Sequence, residues 1–265
     1  MKLAWCTDTH LDFCSPEQRE FFYKTLEESD ADVIAITGDI ATGTEIIEVL
    51  TSLAEKLSKP LWFVLGNHDY YHSSILEIRE KVSELCKRYQ NLFWLEKTEP
   101  ILLSSDTTVL GHSGWGDAKN GDFLQTPVRI NDHRLIKELS GISRKVLQKR
   151  LQYLGNEAAQ QLKKGLSTLP PSIKKIWILT HVPPFPEAAW HGDASGHWDW
   201  IPDFTCRSIG DVLLKQAEQN PQVQINVLCG HGHSKGEAWL RENLFVRTGE
   251  AEYRKPKIID VLELI

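Results

Sequence analysis

Apolar residues along this chain fall into short runs separated by amphipathic stretches. The runs are Leu3–Cys6, Val33–Ile36, Leu61–Leu65, Val109–Leu110, Ile176–Leu179, Ile225–Cys229, Leu244–Val246 and Ile258–Leu262. They are rich in β-branched or aromatic side chains, and most are followed by Gly, Asp, Asn or His, which predicts buried strands. Helical spacing fills the gaps. Ser15-Pro16-Glu17-Gln18 offers an N-cap, a proline at the first helical position and a capping-box partner, ahead of Phe21, Phe22 and Leu26. Thr44 opens a second helix carrying Ile46, Ile47, Leu50, Leu53 and Leu57. Ser74 and Glu77 form another capping-box candidate leading into Val82 and Leu85, and 156–169 and 209–219 read as two more helices. Strand–helix alternation predicts a layered α/β fold with a largely parallel sheet at its start. The closing runs from Ile225 have no helix between them and predict antiparallel strands. Two stretches break the rhythm: 114–150, polar and partly helical, and 182–207, a loop dense in Pro, Trp, His and Asp. Long loops of this kind tend to be lids or binding loops. With no repeat and no Ser/Gly linker, one domain over 1–265 is the economical expectation.

Composition narrows the class. A chain of 265 residues buries roughly three quarters of its unfolded surface, enough to fold without covalent staples. A formal net charge of −6 argues against a general nucleic-acid binder, which shows a basic face. The five cysteines include no CxxC pair and read as reduced structural thiols. Polar residues begin at Thr7, too early for a signal-peptide core. No stretch approaches the ~20 apolar residues of a membrane span. The expectation is a soluble, cytoplasmic protein with no membrane partner.

The chemistry lies in what ends the apolar runs. Leu3–Cys6 ends in Thr7-Asp8-Thr9-His10, Val33–Ile36 in Thr37-Gly38-Asp39, and Leu61–Leu65 in Gly66-Asn67-His68-Asp69. Ile176–Leu179 ends in Thr180-His181, and Ile225–Cys229 in Gly230-His231-Gly232-His233. Ligands of open α/β sheets bind outside the carboxyl ends of the strands, so these residues should converge. Carboxylate, imidazole and amide oxygen together suit Mn, Fe or Zn better than copper or a calcium cage. Two carboxylates, four imidazoles and one amide are too many for one four-coordinate ion and suit two ions sharing a bridge.

This motif series resembles that of the calcineurin-like metallophosphoesterase superfamily: D-x-H, G-D, G-N-H-[DE], a lone H, then G-H-x-H, in that order. Each motif alone has a plain structural reading, as a cap, a turn or a packed histidine. Five in order, each after a predicted strand, outweigh those readings. The resemblance implies a four-layer αββα sandwich of two mixed β-sheets with the metal site at the strand C-terminal ends. It implies that Asp8, His10 and His233 bind one metal, that Asn67, His181 and His231 bind the other, and that Asp39 bridges both. His68 would face the phosphate as the catalytic group, and Asp69 would fix the Asn67–His68 turn. Two divalent or mixed-valence ions would activate a bridging water and clamp an in-line displacement. One position departs from the pattern. Many members carry G-D-x-x-D, whose second acid orients the catalytic histidine; here that position is Thr42.

The reaction expected is hydrolysis of a small phosphomonoester or phosphodiester. The alternatives are a nuclease and a catalytically silent scaffold on the same fold. A scaffold should have lost ligands or His68, and all are in place. Arg79 is the nearest arginine after G-N-H, and the missing G-D-x-x-D acid further disfavours a protein phosphatase. In the loop after His181, Trp190, Trp198 and Trp200 are candidates to stack on a base or an apolar leaving group or to form a small aromatic core that pins the loop, and His191 and His197 are candidates for a phosphate contact. His112 reads as a core or loop histidine ahead of a site role. Asn131-Asp132-His133 reads equally as a helix cap or as polar contacts.

Overall fold

A computed structural model describes the backbone of residues 1–191, 194–195 and 199–265 and the side chains of 1–190 and 199–265. Period-two alternation builds the first sheet. β1 (Lys2–Cys6), β2 (Val33–Thr37), β3 (Leu61–Val64) and β4 (Leu92–Trp94) run parallel in the order 1-2-3-4. The final strand, β13 (Asp260–Glu263), closes the far edge antiparallel to β1. The second sheet holds β5 (Ile101–Leu102), β6 (Thr107–Gly111), β7 (Lys175–Leu179), β10 (Gln224–Cys229), β11 (Gly236–Arg241) and β12 (Leu244–Thr248), in the order β11-β12-β10-β7-β6-β5. A two-residue ladder of β8 (Trp190–His191) and β9 (Ala194–Ser195) stands apart.

Alternate residues of each strand serve different layers. Leu3 and Trp5 of β1, with Val33 and Ala35 of β2, meet Val109, Leu179 and Leu228 of the second sheet. Ala4, Cys6, Ile34 and Ile36 point the other way. There they pack under α1 (Pro16–Glu28), α2 (Ile46–Lys56) and α3 (Ile75–Arg88). The outer face of the second sheet lies under α5 (Arg144–Ser167) and α7 (Arg207–Gln219). The layers are therefore helix, sheet, sheet, helix, as expected. Two short helices, α4 (Asp132–Leu135) and α6 (Ile201–Phe204), interrupt the irregular stretches. No helix among the described residues is long and apolar enough to cross a membrane. All five cysteines are free, and four of them are buried.

Several local readings change. The α1 capping box forms, with Gln18 N–H donating to Ser15 Oγ and Ser15 N–H donating to Gln18 Oε1. At α3 only half of the expected box forms. Glu77 N–H donates to Ser74 Oγ, but the Glu77 carboxylate pairs with Lys81 instead of reaching back, and Glu138 accepts from the Ser74 hydroxyl and the Ile75 N–H. α2 begins at Ile46, with Glu45 rather than Thr44 at its N-cap. α5 begins at Arg144 rather than 156, because Leu147, Leu151 and Leu154 form a buried stripe among many charges. The closing strands are not simply antiparallel. β11 runs down the sheet edge and β12 returns between it and β10, so β10 and β12 pair parallel.

The inter-sheet layer is the packing on which the fold rests. Trp5 is fully buried there, and its indole N–H donates to Thr37 Oγ1 at 3.0 Å. Trp5→Ala should destabilise the protein by about 3–5 kcal/mol, measured by urea denaturation. A loss under about 1 kcal/mol would show that the layer closes without it.

Candidate metal centre

Five parallel strands, from both sheets, end on one edge. The β1–β2 ladder continues beyond its last paired residues: Asp8 N–H donates to Gly38 O (3.0 Å), His10 N–H to Asp39 O (2.9 Å) and Leu11 N–H to Ile40 O (2.8 Å). This holds the Asp8–His10 and Asp39 loops side by side. Across the sandwich, His231 N–H donates to both Asp8 carboxylate oxygens, at 3.0 and 3.1 Å, tying the end of β10 to the end of β1. Asp8, His10, Asp39, His231 and His233 all adopt positive φ, between 40° and 72°. Left-handed backbone in non-glycine residues costs about 1–3 kcal/mol each and clusters at functional sites. Two glycines allow the close approach. A Cβ on Gly66 would collide with the Asp39 carboxylate, and one on Gly230 with that of Asp8.

The donor atoms gather in two sets. Those of Asp8, His10, Asp39 and His233 lie within 4.8 Å of one another, and so do those of Asp39, His181 and His231. Asp39 belongs to both. Asn67 Oδ1 joins the second set, 3.0 Å from His181 Nε2. His10 Nε2 is 3.0 Å from His233 Nε2, His233 Nε2 is 3.3 Å from Asp8 Oδ1, and His181 Nε2 is 3.4 Å from Asp39 Oδ1. Donors sharing one ion at ~2.1 Å stand about 3.0–3.4 Å apart in octahedral or tetrahedral geometry. The spacing fits.

The imidazoles are presented correctly. His181 Nδ1 donates to Thr37 O at 2.9 Å, which frees Nε2 for the site. His231 Nε2 donates to Asp203 O at 3.2 Å, which frees Nδ1. Such partners fix tautomer and ring plane. Burial pulls the His10 pKa down to about 2 and that of His231 to about 3, and lowers that of His181. These rings are therefore neutral at pH 7, the form that binds metal. Burial also pulls His233 down, but its bond to Asp8 outweighs this and raises it. Burial and the neighbouring Asp8 push Asp39 well above the usual carboxylate range. That like-charge stress is what a cation between the two would relieve.

His68 sits on the cleft side of this group. Its backbone N–H donates to Asp39 Oδ1 at 2.9 Å, and its ring stacks on Tyr71 with centroids 4.2 Å apart. Burial lowers its pKa to about 3. Thr42 does not replace the missing acid, since its hydroxyl pairs with Thr44. Among the described residues, the carboxylate that comes within 4.0 Å of a His68 ring nitrogen is that of Asp39. Asp69 turns to the backbone of the neighbouring loops. It is fully buried and accepts from the backbone N–H groups of Gly66, Ile40 and Ala41 at 2.7–2.9 Å.

An open cleft of about 430 Å³ leads to His68. Its walls include Trp200, one of the candidate tryptophans, together with Tyr71, Arg129, Asp132, Phe204 and Tyr253, which the motifs did not identify. Asp132 carried a signal only as part of an ambiguous cap; Tyr253 follows the last motif and carried none. Trp190 does not line this cleft. Its indole lies against Gly236, and its carbonyl against Gly232 in the His231–His233 loop. His191 is described only as a strand position, and His197 and Trp198 lie outside the described residues. His112 is buried away from the cleft, 3.8 Å from Glu96.

A family model for calcineurin-like phosphoesterases matches residues 1–235. The chain belongs to that family. Calcineurin-like phosphoesterases are metal-dependent phosphoric ester hydrolases that use a dinuclear divalent metal centre, so this chain is a metal-dependent phosphoric ester hydrolase. Solved structures agree on the fold. Phosphopantetheinyl hydrolase (PptH) from Mycobacterium tuberculosis is 13% identical with a TM-score of 0.68, covering 96% of this chain and 90% of its own. A dimetal phosphatase from Danio rerio is 14% identical with a TM-score of 0.58, covering 94% and 87%. A 5'-nucleotidase from Candida albicans is 12% identical with a TM-score of 0.51, covering 94% of this chain but 45% of its own. No curated protein matches the sequence.

Gly66→Ala tests the close approach. It should weaken Mn²⁺ binding about tenfold or more while leaving the circular dichroism spectrum intact. Unchanged affinity by calorimetry would show that the Gly66–Asp39 contact is dispensable.

Proposed function

We propose that this protein hydrolyses a small phosphomonoester or phosphodiester, acting as a single domain over 1–265. The observation that carries the reading is that Asp39 belongs to both donor sets. Asp8, His10 and His233 would hold one ion, Asn67, His181 and His231 the other, and Asp39 both. Mn, Fe or Zn fits the mixture of carboxylate, imidazole and amide donors. When bound, two such ions supply an ionised water at neutral pH and positive charge against the phosphate.

The protein's own residues do the remainder. Asp39 and Asp8 set the spacing of the two sets. The Asp69 carboxylate locks the Gly66–Asn67 turn, so Asn67 and His68 emerge from the same rigid corner. His68, at the cleft wall, would donate a ring N–H hydrogen bond to a phosphoryl or leaving oxygen; with its pKa lowered to about 3 the ring is neutral at pH 7 and gives this bond rather than a full proton. The acidic balance and the presence of Arg129 as the single Lys or Arg among the described cleft-lining residues favour a small substrate over a nucleic acid. A cytoplasmic site of action accords with the free, buried thiols.

The test is a screen of metal-reconstituted protein on 4-nitrophenyl phosphate and bis(4-nitrophenyl) phosphate. Turnover with Mn, Fe or Zn that is abolished by chelation is expected. Inactivity with every metal on both esters would favour the scaffold. His68→Ala should lower kcat by about 10²–10⁴-fold and retain two metal ions per chain by elemental analysis. Metal loss in that variant would place His68 among the ligands instead.

A further inference from the structure

We propose that Asp132 and Tyr71 are positioning residues that serve one of the two metal positions and the adjoining His68. The proposal rests on the dinuclear reading of the site. Asp132 is 3% exposed and opens α4, in the irregular stretch that no motif covers. Its Oδ1 accepts from Asn67 Nδ2 at 2.8 Å and from the Tyr71 hydroxyl at 2.7 Å. Asn67 Nδ2 also donates to the Tyr71 oxygen at 3.3 Å. The three groups close a buried triangle in which every donor has an acceptor.

That triangle decides how the Asn67 amide faces. Asp132 Oδ1 already accepts from the Tyr71 hydroxyl, so the Asn67 group turned to it must be the donor, Nδ2. Oδ1 is then left beside His181 Nε2, where a cation would need it. The flipped amide would aim two N–H donors at the cation. Tyr71 extends the same anchor to His68. Its hydroxyl is held by Asp132, and its ring lies under the His68 ring, 28° from parallel.

The α4 segment is itself fixed. His72 N–H donates to Leu135 O at 2.8 Å and Lys137 N–H to Ser73 O at 3.0 Å, pinning it to the chain just beyond Tyr71. It also reaches the next ligand. His133 Nε2 is 3.0 Å from Asp203 Oδ1, and the Asp203 carbonyl accepts from His231 Nε2. Asn67 and His231 are both in the set completed by His181. The support from α4 therefore falls on one metal position, while Asp8, His10 and His233 are held by the β1, β2 and β10 loops.

The test is calorimetric titration of Mn²⁺ into the chelator-treated full-length protein, alongside Asp132→Ala, Asp132→Asn and Tyr71→Leu. The wild type should bind two ions. Asp132→Ala should weaken one step about tenfold or more and leave the other within about threefold. Asp132→Asn should recover most of the loss, because its amide oxygen can accept both bonds. Tyr71→Leu should lower kcat on 4-nitrophenyl phosphate about tenfold with KM unchanged. Equal weakening of both steps, or wild-type binding in Asp132→Ala, would overturn the proposal. A wild type that binds no Mn²⁺ would remove the dinuclear reading and this inference with it.

Discussion

Four carboxylates, those of Asp8, Asp39, Asp69 and Asp132, are buried around the strand ends, none more than 3% exposed. Burying an ionised carboxylate costs several kcal/mol unless hydrogen bonds or opposite charge compensate it. The compensation here is uneven. Asp69 has three backbone N–H donors, and Asp132 has an amide and a hydroxyl. Asp39 accepts one backbone N–H, from His68, and faces Asp8. The neutral rings of His10, His181 and His231 offer it no positive charge. Cations placed in the two donor sets turn this repulsion into attraction, so binding them also stabilises the fold. The strained loops, the glycines without side-chain room and the pairing of two sheets all serve to bring these charges together.

Much of this was legible because strand ends and strand faces have simple periods. Val33–Ile36 and Ile176–Leu179 announce buried strands, and the polar residues that follow must then lie on one edge. β11 escaped notice because an edge strand is half exposed, with Trp239 largely in solvent. Without it, β10 and β12 read as adjacent antiparallel strands. The first turns of α5 escaped for a similar reason, since an amphipathic helix rich in Lys and Arg resembles an irregular polar stretch. In both cases tertiary packing decides a segment whose local pattern is weak.

The site divides along the same line. Asp8, His10, Asp39, Asn67, His181, His231 and His233 occur where strand patterns end, and the fold gathers their donor atoms. Tyr71 and Asp132 meet across 61 residues of chain, and Asn67 and Asp132 across 65. No spacing rule joins such pairs, because their contact is made by the path of the irregular stretch between them. Thr42 is the reverse case. The departure was visible in the sequence, but its consequence was not. His68 is backed by a stacked tyrosine, and among the described residues no acid other than Asp39 comes within 4.0 Å of its ring nitrogens.

The candidate metal donors and the outer cleft wall consequently sit on different parts of the chain. The donors come from the ends of sheet strands, whose positions are fixed by the inter-sheet core. The outer cleft wall comes from Arg129, Trp200, Phe204 and Tyr253, on segments between or beyond the motifs. Tyr253 bridges the two regions, with its ring 4.5 Å from that of His10 and 4.8 Å from that of Phe13. A wall with one guanidinium and several aromatic faces can hold a compact, partly apolar leaving group. Its described residues do not form the stripe of cations that a polyanion needs to displace its counterions. Substitutions along the wall can therefore change which ester enters without altering the strand-end geometry that presents it to the metals.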